Sequence, residues 1–193
     1  MKYSEEILDK YRYINVDWEE WSTNIREEFI EEMAEFGIDV SDIQFSGFYS
    51  QGDGACFSGY VYDVDKFMKA MGGSWDDYPH TLDVLKQLGE DIHISWKHSN
   101  SNYCHENTLS FDIEYDRLVD ELSWDSPQLL LDAAEALDAA ADAEYQVLEE
   151  DITRFIKCLC GDLYDRLQND FEHLTSDEAV ADAIEASELV ESV

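Results

Sequence analysis

IQFSGFYSQGDGACFSGYVY, residues 43–62, holds two runs of aromatic, β-branched and small residues around Ser50-Gln51-Gly52-Asp53-Gly54. Two β-biased runs parted by a Gly/Asp cluster read as a hairpin. In the first arm Ile43, Phe45 and Tyr49 alternate with Gln44, Ser46 and Phe48. In the second, Phe57 and Val61 alternate with Cys56, Ser58, Tyr60 and Tyr62. Gly47 and Gly59 inside the arms predict bulges, or a backbone approached closely by another element. Asp53 has the type of a catalytic or ligand carboxylate, but turns use Gly and Asp simply to reach positive φ.

Upstream of the hairpin, residues 4–13 predict a short helix. Asp17 and Glu20 then have the spacing of a capping box. Trp18, Trp21, Ile25, Phe29, Met33 and Phe36 follow at steps of three and four, an amphipathic helix that Gly37 stops. Its other face carries Glu20, Glu27, Glu28, Glu31, Glu32 and Glu35, with Arg26 alone to balance them. Downstream, Asp63 caps a helix over 64–71, and Pro79 opens another that runs through 80–88 to Gly89. Residues 91–98 and 108–115 alternate apolar with polar side chains, the pattern of antiparallel strands with one wet face, joined by the polar loop 99–107.

From Ser126-Pro127 an apolar stripe runs from Leu130 to Leu174 at helical spacing. Residues 127–174 would span roughly 70 Å as one helix, and Gly161 is the place where a bend or turn is expected. Thr175-Ser176-Asp177-Glu178 caps a final helix over 178–189. The fold class is α+β: a small antiparallel sheet of about four strands packed against helices, with a long C-terminal helical tract. Residues 1–125 read as an α+β domain built on the hairpin, and 126–193 as a helical region packed on it or extending from it.

The chain of 193 residues carries 46 Asp and Glu against 12 Lys and Arg, a net charge of −34. Self-repulsion on this scale destabilises a compact state, so some benefit offsets it. Three are open: folding in high salt, binding a basic protein surface or metal cations, and imitation of nucleic acid. Direct binding to DNA or RNA is excluded as an expectation, because no basic stripe exists to neutralise phosphates. The N-terminus lacks a signal-peptide core, no apolar run approaches a membrane span, and Cys56, Cys104, Cys158 and Cys160 form no secreted-type framework. A soluble, cytoplasmic protein with reduced thiols is expected.

Asp132, Glu135, Asp138 and Asp142 lie at steps of three or four, a row of like charges that is costly unless it serves a partner. Over 127–174 twelve acidic residues face Arg154, Lys157 and Arg166, a net of −9. One charge per about 8 Å is sparser than the charge per about 1.7 Å of duplex axis, so several acidic elements would have to act together. His93, His98, Cys104 and His105 form the one metal-ligand cluster to consider, but His93 and His98 differ in strand parity, and no metal or cofactor is expected. Cys158 and Cys160, two apart on a helix, point in different directions and read as packing. Nucleophile elbow, P-loop and dinucleotide fingerprint are missing.

Residues 45–57, FSGFYSQGDGACF, together with Tyr164-Asp165-Arg166-Leu167 and Leu174-Thr175-Ser176-Asp177-Glu178-Ala179-Val180, resemble a family of small acidic bacteriophage and prophage proteins carrying an FSGFxSQGDGACF motif. The resemblance covers about an eighth of the chain; residues 72–80 and 131–143 have no match in it. It implies a phage origin, with some members described as antitoxin-like. Acidic phage proteins include antirestriction DNA mimics. By that analogy the expected function is non-enzymatic: an inhibitor of a host nucleic-acid-binding defence protein, of nuclease or CRISPR type, acting by DNA mimicry in the cytoplasm of the infected bacterium. The contact residues expected are Glu27, Glu28, Glu31, Glu35, Asp132, Glu135, Asp138 and Asp142. The alternatives are an antitoxin-like protein that neutralises one toxin, and a metal-dependent enzyme centred on Asp53, His93 and His105. The long apolar stripe also permits a homodimer.

Overall fold

A computed structural model describes residues 3–89, 92–99, 101–123 and 125–187. Four strands, β1 (Ile38–Phe45), β2 (Ala55–Val61), β3 (His93–His98) and β4 (Leu109–Glu114), form one antiparallel sheet in chain order. The fold is α+β, as the alternation implied. Seven helices are seen among the described residues: α1 (Glu5–Lys10), α2 (Thr23–Glu35), α3 (Val64–Ala70), α4 (Pro79–Leu88), α5 (Leu118–Glu121), α6 (Gln128–Leu174) and α7 (Asp177–Ala186). Residue 91 of the expected third strand and residues 188–189 of the expected last helix lie outside the described residues.

The hairpin starts earlier and turns sooner than its residue pattern suggests. β1 begins at Ile38, directly after Gly37, and ends at Phe45, so Gly47, Phe48 and Tyr49 belong to the connecting loop. The register shifts between Val40 and Asp42, opposite Gly59. A Cβ on Gly59 would stand 2.4 Å from the Asp39 carbonyl oxygen, so the bulge requires glycine there. Across the sheet Ile94 pairs with Ile113 and Trp96 with both Gly59 and Phe111, which lines the apolar residues up on one face.

α6 lies over that face. It stays helical for 47 residues, about 70 Å, with Gly161 inside it and no break. Cys160 and Leu163, on either side of Gly161, are fully buried, and this packing outweighs the roughly 1 kcal/mol that a helical glycine costs. Phe29 and Met33 of α2, Phe67 of α3, Leu85 of α4 and Ile152, Ile156 and Leu167 of α6 share a single core with the sheet. Residues on both sides of position 125 line this core. A small satellite core forms where Leu8 of α1 meets Val180 and Ile184 of α7. Arg12 clamps it, donating to Asp9 (2.7 Å), Asp177 (2.5 Å) and the Thr175 carbonyl (3.0 Å).

Asp63 caps α3 as expected, accepting from the Lys66 N–H, whereas α7 is capped by Ser176, one residue beyond Thr175 at the head of the expected box; Ser176 accepts from the Ala179 N–H. The Asp17 box is not a helix start. Asp17 accepts from the Glu19 N–H in a turn, and α2 begins at Thr23. Trp18 is thereby turned out of the helical stripe and is 66% exposed.

Candidate functional site

The hairpin loop is rigid by construction. The Asp53 carboxylate accepts from the backbone N–H groups of Tyr49 (2.9 Å) and Ser50 (2.6 Å), and Ser46 and Gly54 close the base by mutual bonds. Gly52, at φ +92°, lies so close to the Tyr103 ring that a Cβ would stand 2.7 Å from it. Asp53 is thus a turn-holding residue. His98 bonds through Nε2 to the Tyr103 carbonyl, His105 Nδ1 accepts from the Asn107 N–H, and His93 bonds to Ser95. No group of three or more His, Cys, Asp or Glu side chains able to hold a metal ion occurs among the described residues. The cysteines are free; Cys160 is buried and Cys158 exposed, two directions from one helix as their spacing requires. Burial pushes the Cys56 thiol up to about 11 and Cys160 up to about 12.

The acidic row of α6 divides when its surroundings are known. Asp132 and Glu135 are exposed. Asp138 is fully buried, and its two oxygens accept from the Leu118 and Val119 N–H groups, each at 3.0 Å. It caps α5, a helix the sequence reading did not include, and cannot meet a partner. Asp142 accepts from the Tyr115 hydroxyl (2.8 Å) and pairs with Arg117 (3.4 Å). Glu144 does for α4 what Asp138 does for α5, accepting from the His80 and Thr81 N–H groups, both at 2.9 Å, with His80 Nδ1 at 2.5 Å. Burial works against the Glu144 carboxylate, yet the Thr81 and His80 bonds hold it below the usual range. Like-charge cost along this part of α6 is offset by helix capping.

The face of α2 differs. Glu27, Glu28, Glu31 and Glu35 are all exposed and none has an ion pair; the neighbouring Glu32 faces inward to Arg166 (2.7 Å). At 100° per residue the four occupy one arc, opposite the buried Phe29 and Met33. They lie along roughly 12 Å of helix, a mean step of about 4 Å, near the 3.4 Å of duplex axis per phosphate of one DNA strand. The open face of the sheet, opposite the side on which Phe57 meets Phe29 of α2, is a separate surface. Asp39, Tyr60, Ser95 and Asp112 stand in one row across the four strands, and both carboxylates are exposed. Alternation within each strand shows which residues face out, but the row exists only through the pairing register.

A cluster of rings stands at the tip of the hairpin loop. Phe171 near the end of α6 is the hub, with ring centroids of Phe48 at 5.1 Å, Trp21 at 5.6 Å, Trp18 at 6.1 Å, Tyr13 at 6.3 Å and Tyr49 at 6.5 Å. Phe171 is buried and Trp21 and Phe48 are half-buried, while Tyr13 (54%), Trp18 (66%) and Tyr49 (72%) face solvent. Sequence periodicity places Trp18 in the core and Tyr49 in a strand, so it gives no signal for this cluster. A separate cleft beside Tyr78 has polar groups that satisfy one another, since Asp151 accepts from Tyr78 (2.9 Å) and Arg154 (2.6 Å). No helix among the described residues is long and apolar enough to cross a membrane.

The chain belongs to a protein family defined by a domain of unknown function (DUF8835), which matches residues 21–177. That span takes in α2, the sheet and α6, and leaves α1 and nearly all of α7 outside it. No curated protein and no solved structure matches the chain.

Proposed function

We propose that this member of the family is a non-enzymatic acidic inhibitor that binds the basic, nucleic-acid-binding surface of another protein and takes the place of its DNA. The observation that carries this reading is the face of α2. Four carboxylates, Glu27, Glu28, Glu31 and Glu35, stand exposed and unpaired at nearly the linear density of one DNA strand. Such a row repels itself by a few tenths of a kcal/mol per pair, a cost that a cationic partner would offset. Whole-molecule charge supports it: 46 acidic residues against 12 basic ones leave an excess that internal pairing cannot neutralise. Steering by this field would raise the association rate and make it fall steeply with salt. A bacteriophage origin, implied by the hairpin motif, makes a host defence nuclease or CRISPR-type complex the natural target.

The experiment is capture from bacterial lysate on the immobilised chain, followed by competition. A nucleic-acid-binding protein should be retained at low salt and released by excess duplex DNA, as well as by about 0.5 M salt. A captured target that excess duplex does not displace would rule out mimicry.

A further inference from the structure

The ring cluster on Phe171 is not used by the acidic face of α2. Trp and Tyr with large exposed areas are the residue types that anchor protein interfaces, because they offer broad contact at little conformational cost. Here they are also fixed in place. Tyr49 sits in the loop that Asp53 ties down, and Tyr13 and Trp18 lie in the turns between α1 and α2. Two distant parts of the chain, the α1–α2 connection and the hairpin loop, therefore present their three rings together, over a fourth ring from α6.

The electrostatics of the patch select its occupant. Asp9 lines the cleft beside these rings, and Glu172, which follows Phe171 in the chain, acts on Tyr49. Asp53 and Asp165 act on Tyr164, whose ring lies 5.6 Å from Phe48, so the patch opposes any further negative charge. Arg12, at the rim of the cleft bounded by Tyr13, Tyr49 and Phe171, is neutralised by Asp9 and Asp177. A stacking nucleobase would bring its phosphate into this field. A guanidinium brings a planar cation, which stacks on exposed rings and is drawn to the surrounding carboxylates.

We infer that Tyr13, Trp18 and Tyr49 form a docking platform for an arginine-bearing basic segment of a partner protein. The inference rests on the reading of that partner as basic, but it uses a surface separate from the α2 face. The test uses the full chain and a synthetic peptide of arginines spaced by glycine and serine, its lysine counterpart, and oligo(dT). Side-chain NMR signals of Tyr13, Trp18 and Tyr49 should shift with the arginine peptide at about 0.15 M salt, less with the lysine peptide and not with oligo(dT). The triple variant Tyr13→Ser, Trp18→Ser, Tyr49→Ser should weaken the arginine peptide roughly tenfold with circular dichroism unchanged, while Tyr49→Phe binds as before. Unmoved rings, undiminished binding by the triple variant, or rings that respond to oligo(dT) would each overturn the platform. The Gln variant at Glu27, Glu28, Glu31 and Glu35 separates the two readings. Ring shifts retained with DNA-competed capture lost support both; ring shifts with capture unchanged leave the platform standing and remove α2.

Discussion

Asp138 shows how far the role of a carboxylate depends on what lies above it. In sequence it is one of four equivalent members of a row, and nothing local distinguishes it from Asp132 or Glu135. In the fold α5 crosses α6 at that level, and two unpaired N–H groups at the start of α5 meet the two oxygens of Asp138. Asp138→Ala would leave both donors buried without partners, a loss of about 1–3 kcal/mol for each unsatisfied group. Asp132→Ala, at an exposed site, should stay within about 0.5 kcal/mol of the parent. Urea unfolding of the two variants measures the contrast, and equal midpoints would remove the capping role. Glu144 gives a similar test with a pH signature. Its folded-state pKa is lowered, so the stability it contributes is present above the unfolded value of 4.5 and is lost as pH falls through the folded one. The difference between parent and Glu144→Gln should therefore be constant near neutrality and shrink in acid.

The elements were legible where local chemistry decides them. Asp63 and Pro79 mark helix starts correctly, and the Thr175 box marks the last one to within a residue, because a cap acts within four residues. The strands were legible from alternation, since one face is wet. The bulge of β1 was legible from Gly59, a glycine inside a strand run that here meets Asp39, whereas the α5 helix was not, because it depends on a carboxylate twenty residues away. Of the candidate site, the acidic face of α2 was visible in a helical wheel. The ring platform was not, because Tyr13, Trp18, Tyr49 and Phe171 meet only through tertiary structure. The intact α6 makes the same point for glycine: local propensity predicts a bend, and burial of Cys160 and Leu163 overrides it. A Cβ at Gly161 would meet nothing within 4 Å. Gly161→Ala should thus raise stability by up to about 1 kcal/mol, read from the urea midpoint, and a decrease would reveal a contact or curvature that needs glycine. On α2 the expectation has two signs. Gln at positions 27, 31 and 35 should add a few tenths of a kcal/mol per relieved pair at low salt while weakening capture of the DNA-competed target. Loss of stability in that variant would mean the carboxylates are structural.

At the scale of the whole molecule, charge and burial set opposite limits on stability. With a net charge of −34, long-range repulsion acts throughout the neutral range and is screened as ionic strength rises. The melting temperature at pH 8 should accordingly climb between about 0.01 M and 0.5 M salt, as the screening length falls from roughly 30 Å to a few ångströms. Alkali brings a second effect that salt does not remove. Tyr78 is pushed up to about 12 by burial and by its bond to Asp151. Tyr145 is pushed up to about 12 by burial and nearby carboxylates, and Tyr115 is raised by burial and its bond to Asp142. A phenol whose pKa is raised in the folded state contributes stability that is complete below its unfolded value of 10.0 and is lost as pH rises through the folded one. The buried Cys56 and Cys160 thiols, raised from 9.0, act in the same direction, so melting temperature should be flat up to about pH 9 and fall between there and about pH 12, even in high salt, where repulsion is screened. Tyr78→Phe cannot ionise, so it should start lower, through loss of the Asp151 bond, and decline less steeply. A curve that stays level through pH 12 in high salt would show that these phenols are not held in their neutral form, and that Tyr78 and Tyr115 do not donate to Asp151 and Asp142.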